Sequence, residues 1–354
     1  MIAMAFKPKR VVIEKESDHS ELARLLTQPQ KNTHAHPKQI LCLTTNKGPA
    51  LRPCPGTKEY ICCGYQILHV GTGCPMECSY CILQAYLNDE QVRLFTNWEQ
   101  IAGAIEETSL LHAGTVLRLG TGEFTDSLYL DHLTAFTRFV VPLIQRTPNM
   151  VLEFKTKTDN VDTLLKLQNP DRVIVSFSVN STNVIKEEER RTASLRQRLA
   201  AARRCHENGF VVAFHFDPLI HHKGWEQGYA RAVDMLFEAV DPKAIIWISL
   251  GCLRFMPHLK ELIKARFPQS TIIYDEFITG LDGKKRYFHP IRIDMYKLMQ
   301  ERIMAHSTDV LAYLCMESDG VWQKALGRSP GNSKTLKQWL DERAKLFFPS
   351  LRDC

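Results

Sequence analysis

Between residues 65 and 268 the chain alternates six times between a short apolar run and a longer amphipathic stretch. The apolar runs lie at 66–70, 115–119, 150–154, 172–177, 210–216 and 244–250. The intervening stretches, 98–110, 130–145, 160–167, 193–208, 225–240 and 257–265, carry apolar residues at helical spacing. Runs this short, apolar on both faces, suit the strands of a parallel sheet covered by helices. Right-handed crossovers in such a series curl the sheet toward a barrel. Six units fall short of the eight that close a TIM barrel. The pattern thus predicts an α/β fold, either a partial (βα)6 barrel or an open doubly wound sheet, and does not separate the two. In both, ligands bind at the C-terminal ends of the strands.

The first predicted strand runs directly into a loop holding Cys74, Cys78 and Cys81, spaced C-x3-C-x2-C, with Tyr80 before the last cysteine. A cubane [4Fe–4S] cluster is normally held by four cysteine thiolates. Three in one tight loop would leave one iron open to a small molecule. Structural zinc is the competing reading, but it takes paired cysteines and four ligands. A second pair would have to come from Cys62 and Cys63, and adjacent cysteines are poorly placed to share one zinc. No secretory signal is evident at the N-terminus. A reducing cytoplasm is therefore the expected compartment, where clustered cysteines point to metal or redox chemistry rather than disulfides. No apolar run is long enough to span a bilayer. The formal charge of +6 permits a polyanionic partner without requiring one.

A second motif, Gly120, Thr121, Gly122 and Glu123, ends the second predicted strand. Glycines let a backbone approach a ligand closely, and a carboxylate beside them can accept hydrogen bonds from an ammonium group. Further polar groups close later strands: Lys157, then Ser178 and Asn180, then His215 and Asp217. His215, inside an apolar strand, reads as a core or wall residue rather than a metal ligand.

The cysteine loop with its aromatic resembles that of the radical S-adenosyl-L-methionine (SAM) enzymes. The resemblance implies the partial-barrel architecture, a [4Fe–4S] cluster on Cys74, Cys78 and Cys81, and SAM bound at the open iron and cleaved to a 5′-deoxyadenosyl radical. It implies that Gly120, Thr121, Gly122 and Glu123 hold the SAM amino group, that Lys157 pairs with its carboxylate, and that Ser178 and Asn180 bond its amino acid or ribose. A reducing partner such as flavodoxin or ferredoxin follows.

From Gly64 to Met304 the chain is similar to the spore photoproduct lyase family. The residues that carry this are 74–84, Phe124, Thr125 and Asp126, Asp131 and His132, Lys157, 177–180, the run Gly224-Trp225-Glu226-Gln227-Gly228-Tyr229, and Lys284, Lys285, Arg286 and Tyr287. The family's lyases abstract hydrogen from a methylene-bridged thymine dimer in DNA and restore two thymines. The resemblance thus implies a DNA photoproduct lyase with Tyr80 at the catalytic loop. Two departures stand out. Where the family carries a hydrogen-donor cysteine, this chain has Glu123 or a neighbour, and Ile82 replaces a tyrosine. Cys252, at the end of the sixth predicted strand, is the best-placed substitute donor.

Residues 1–64 read as an accessory segment with a helical stretch at 20–26, residues 65–268 as the barrel, and 269–354 as a C-terminal hairpin and helical region. Asp282-Gly283 marks a turn within the hairpin, between strands at 271–277 and 284–288. On the residues alone this reads as a basic, solvated hairpin tip; the family resemblance implies that Lys284, Lys285, Arg286 and Tyr287 contact DNA there. Cys54, Cys62 and Cys63 suit a second cluster or buried thiols; Cys42, Cys205, Cys315 and Cys354 carry no signal. Two other functions stay open. One is a radical SAM enzyme acting on a modified nucleotide, peptide or small molecule. The other is a metal-bearing nucleic-acid-binding protein without catalysis.

Overall fold

The computed structural model describes residues 10–13, 37–57, 59–88, 90–168 and 170–352. The helical stretch expected at 20–26 and Cys354 lie outside them. The central sheet has eight strands: β1 (Leu51–Pro53), β2 (Gln66–Leu68), β3 (Leu117–Gly120), β4 (Met150–Thr156), β5 (Val173–Ser178), β6 (Val211–Leu219), β7 (Ile245–Cys252) and β8 (Leu311–Leu314). They stand side by side in chain order. β1 pairs antiparallel with β2; every later pairing is parallel. This is the curled, open half-barrel that the alternating pattern allowed, and it excludes the doubly wound order, in which the chain reverses direction across the sheet.

The outer face is covered by α1 (Trp98–Leu111), α2 (Phe136–Arg146), α3 (Leu195–Glu207), α4 (Trp225–Ala239) and α5 (His289–His306), while α6 (Ser333–Phe347) lies at the N-terminal ends of the strands, where Lys337 donates to Val116 O and Arg343 to Ile246 O. All of β5 and β7 is buried, in a core of Val, Ile, Leu and Phe. Each such side chain contributes about 1.5–3 kcal/mol on burial. That sum, not strand propensity, selects the sheet.

Four details differ from the sequence reading. The helix expected at 130–145 is split at Ala135, whose φ is 50°. The one expected at 160–167 is a single 3-10 turn, Leu164–Lys166. β1 and β8, read as flanking segments, are the two edges of the sheet. The first hairpin strand is Phe277–Thr279 rather than 271–277, and Lys285–Tyr287 pairs with both it and Arg254–Phe255. Beyond the sheet edges the chain meets itself: Ile61 N donates to Glu317 O at 2.9 Å. Among the described residues no helix is long and apolar enough to cross a membrane.

Candidate active site

Successive residues of a strand face opposite sides of the sheet. On the inner side this places a set of polar groups inside otherwise apolar strands: Arg118, Glu153, Lys155, Ser176, Ser178, His215, Asp217 and Ser249. All but Ser176 line one cavity of ≈ 490 Å³. Cys74, Cys78 and Cys81 line the same cavity, as do Tyr80, Gly122, Glu123 and Lys157. The cysteine loop is fixed by a short antiparallel pairing of Cys78 and Glu77 with Glu189 and Arg190.

The polar groups interlock. Glu153 Oε1 lies 2.7 Å from His215 Nε2 and accepts from the Ser176 hydroxyl. Burial opposes the Glu153 charge, but His215 outweighs it and pulls the carboxyl down to about 2. Lys155 Nζ donates to Glu123 Oε1 at 2.6 Å. Burial works against that ammonium, yet Glu123, Tyr65 and Glu153 hold it well above the usual lysine range. Arg254 spans both oxygens of Asp217 at 3.2 and 3.3 Å. Asp126 accepts from the backbone of Leu128, Tyr129 and Lys157 and from the Thr156 hydroxyl, tying the ends of β3 and β4 together.

Lys157 Nζ donates to Ser178 Oγ at 2.5 Å and lies 3.9 Å from Glu189. The Tyr80 hydroxyl donates to that same Glu189, which Arg198 holds from the other side at 2.5 Å. Burial and then the Glu189 charge push the Tyr80 phenol well up, so it keeps its proton.

Other expected residues are placed differently. Gly120 has its open side filled by Tyr65: a Cβ there would sit 1.2 Å from the Tyr65 hydroxyl. Thr121 is buried and donates to Ser127 at 2.7 Å. Asn180 does not line the cavity; its amide donates to Pro218 O at 2.8 Å and its carbonyl accepts from the Tyr229 hydroxyl at 2.6 Å. The Gly224–Tyr229 run thereby anchors α4 to the ends of β5 and β6. Gly224 opens that run with φ 76°, and Gly228 lets the helix approach Ser181.

Cys252 falls on the outer side of β7. Its sulfur faces Met295 Sδ at 3.9 Å in α5, and burial pushes its thiol up to about 12. It does not reach the cavity, because one step along a strand reverses the side. Of the four hairpin residues expected on DNA, two are internal. Arg286, 2% exposed, bonds Asp282 at 2.7 Å and Met316 O at 3.0 Å and lies over Tyr60. Tyr287, 0% exposed, stacks on Phe277 and accepts from His221 N. Lys284 turns into the cavity. Lys285, bonded to Thr279 Oγ1, is the one that meets solvent. In a strand between two partners both sides can be covered, as the burial of the consecutive Arg286 and Tyr287 shows, and clustered cations alone do not reveal which stay outside.

Residues the sequence reading passed over include Tyr65, Arg118, Glu153, Arg254, Tyr313 and Cys315, all on the cavity wall. The signal for Glu153 was available: a charged residue at a period-two position in an apolar run. The buried Tyr65 hydroxyl, packed against Gly120, has no hydrogen-bond partner among the described residues.

The donor set fits an iron–sulfur cage. Among the described residues no three His, Cys, Asp or Glu side chains converge as the ligands of a single ion do. Yet three thiols from one loop face a common cavity, as the wider spacing of a cage requires. Burial, then the charge of Asp126, pushes Cys74 up to about 12, and burial drives Cys78 well up. Ligation needs thiolates, so loading the cluster releases protons.

Comparison with known proteins places this arrangement. Residues 1–306 match the family described as spore photoproduct lyase. A spore photoproduct lyase from Geobacillus sp. (strain Y412MC61) is 32% identical over 211 residues, covering 58% of this chain and 62% of that protein, so under two thirds of its length is spanned. One from Bacillus subtilis (strain 168) is 25% identical over 285 residues, 80% of each chain. Among solved structures, a cysteine-to-alanine mutant of spore photoproduct lyase with dinucleoside spore photoproduct superposes with a TM-score of 0.74. It is 25% identical, over 88% of this chain and 99% of that one.

Proposed function

Because the chain belongs to the spore photoproduct lyase family, a radical SAM family, we propose that it repairs a thymine-dimer lesion of the spore photoproduct type in DNA, using a [4Fe–4S] cluster and SAM. One observation carries this reading: the cysteine loop, the Gly122–Glu123 turn and Lys157 with Ser178 all face one cavity at the C-terminal strand ends. A purely nucleic-acid-binding protein has no use for such a cavity.

When bound, the cluster supplies the electron that opens a carbon–sulfur bond of SAM and frees a 5′-deoxyadenosyl radical. Cys74, Cys78 and Cys81 hold it. Lys155 pins Glu123 Oε1, leaving the second oxygen for the ammonium group of SAM. Lys157 pairs with the SAM carboxylate, oriented by Ser178 and Glu189. Met76, Ile82, Phe124 and Leu253 line the cavity with apolar surface and keep water from the reacting carbon. A lesion must leave the duplex stack to enter, and Lys285 contacts phosphate outside. Flavodoxin or ferredoxin supplies the electron.

A second reading has its own observation. The family's hydrogen-donor cysteine falls at Glu123 or a neighbour in this chain, and Glu123 stands in an ion pair with Lys155. This favours a radical SAM enzyme with another substrate, a modified nucleotide, peptide or small molecule. Incubating the reduced, cluster-loaded protein with SAM and dinucleoside spore photoproduct decides between the two. Restored thymine together with SAM cleavage is expected. SAM cleavage without thymine would favour the second reading, and no cleavage would overturn both.

A further inference from the structure

Four cysteines outside the cluster loop meet where the half-barrel stays open. Cys54 directly follows edge strand β1, and Cys315 directly follows the opposite edge strand β8. Cys62 and Cys63 sit between, carried there by the Ile61–Glu317 bridge. All four line a small cavity of ≈ 90 Å³, and Cys54, Cys63 and Cys315 also line the main one.

The local structure is built around these thiols. Cys54 N donates to Tyr65 O at 2.9 Å, Cys315 N to Leu250 O at 2.8 Å, and Cys62 N to Ser333 Oγ at 2.9 Å. Gly56 leaves the space that the Cys62 sulfur fills: a Cβ there would lie 2.6 Å from it. Two guanidinium groups, paired with Asp217 and Asp341, lie beside the group. Arg254 Nη2 is 3.5 Å from Cys315 Sγ, and Arg118 donates to Cys63 O. All four cysteines are free thiols. Cys315 also lies beyond residues 1–306, the part matched by the family.

A single zinc ion, with Zn–S bonds of about 2.3 Å, would draw its four sulfurs to one point. These four do not converge so, and neither do Cys74, Cys78 and Cys81. A cage presents separate irons to separate cysteines, and the adjacent Cys62 and Cys63 can then each reach its own iron. We propose that Cys54, Cys62, Cys63 and Cys315 hold a second iron–sulfur cluster at the seam between the two sheet edges. Four thiols complete a cubane, so this cluster has no open iron. The site does not depend on which substrate the main cavity takes.

The test is iron and acid-labile sulfide content after anaerobic reconstitution of the full chain. Wild type is expected to hold about eight of each, two cubanes. Cys74→Ala/Cys78→Ala/Cys81→Ala should keep about four with an EPR-active reduced cluster; Cys54→Ser/Cys62→Ser/Cys63→Ser/Cys315→Ser should keep about four of a different signature. A folded triple-Ala variant with neither iron nor sulfide overturns the proposal, as does zinc without sulfide. If the triple variant does not fold, wild type decides: about four irons overturns the proposal and about eight supports it. Loss of the first cluster alone shows in the quadruple variant, so failure of that assignment is read separately.

Discussion

Gly120→Ala separates two roles for the glycine that ends β3. As a ligand-approach residue in a strand, its replacement by Ala should stabilise the free protein by about 0.5–1 kcal/mol, since glycine loses more backbone entropy on folding. The geometry predicts the opposite sign. The new Cβ would lie 1.2 Å from the Tyr65 hydroxyl and 2.2 Å from its Cζ, against about 3.5–4 Å for a relaxed contact. Tyr65 is 4% exposed and cannot simply swing into water. Overpacking typically costs about 1–3 kcal/mol, and displacing a buried aromatic adds to this. A net loss of about 2–4 kcal/mol follows, read as a lower urea midpoint at unchanged slope. The loss must vanish when Tyr65 is absent. In a Tyr65→Ala background, Gly120→Ala should be neutral or slightly stabilising, a coupling of about 2 kcal/mol or more in a double-mutant cycle. Gly120→Ala as stable as wild type, or equally damaging in both backgrounds, would refute the reasoning.

Other outcomes follow from the same geometry. Lys157→Ala should weaken SAM binding about tenfold, the loss of about one charge-assisted contact, with iron content unchanged; equilibrium dialysis of the loaded protein checks this. Lys285→Ala should leave stability within about 0.5 kcal/mol and lower the salt slope of DNA binding by about 0.9. Arg286→Ala should unfold at lower urea, since it leaves the buried Asp282 with Lys284 as its one remaining ion-pair partner among the described residues and opens a cavity over Tyr60. Glu153 is held near 2 in the folded protein against an ordinary 4.5. A depressed carboxyl stabilises above its unfolded value and loses that effect as pH falls through the folded one. About 3 kcal/mol should therefore fade between pH 5 and 2, and Glu153→Gln should flatten that part of the urea-midpoint profile.

The sheet was legible because its strands are hydrophobic for a reason that local sequence carries. Runs such as Val173–Ser178 and Ile245–Cys252 bury both faces, and that demand shows in each run by itself. The candidate cluster loop was legible because its three cysteines lie within eight residues. Glu123 and Lys157 were legible as polar residues at strand ends, where the fold puts ligands. β1 was missed because it joins the sheet antiparallel, outside the repeated βα pattern, and β8 because its place is set by pairing with β7, far back in the chain.

The remaining errors share one physical source. Whether a charged side chain faces water, a cavity or another charge depends on which side of a strand it takes and on what packs there. Lys284, Lys285 and Arg286 are consecutive cations, and the sequence offers no ground for treating them differently. The strand pairing does: it sends Arg286 inward to Asp282, turns Lys284 to the cavity and leaves Lys285 outside. Cys252 and Cys315 illustrate the same rule with opposite results. Both close a strand of the sheet, but Cys252 lies against Met295 on the outer side while Cys315 reaches the cavity wall. A reading based on strand ends ranks them equally, and only the side of the sheet separates a packed thiol from one that can act. Cys315 meets Cys54 because the first and last strands are the two edges of a curled sheet. That contact spans most of the chain and leaves no trace in local spacing.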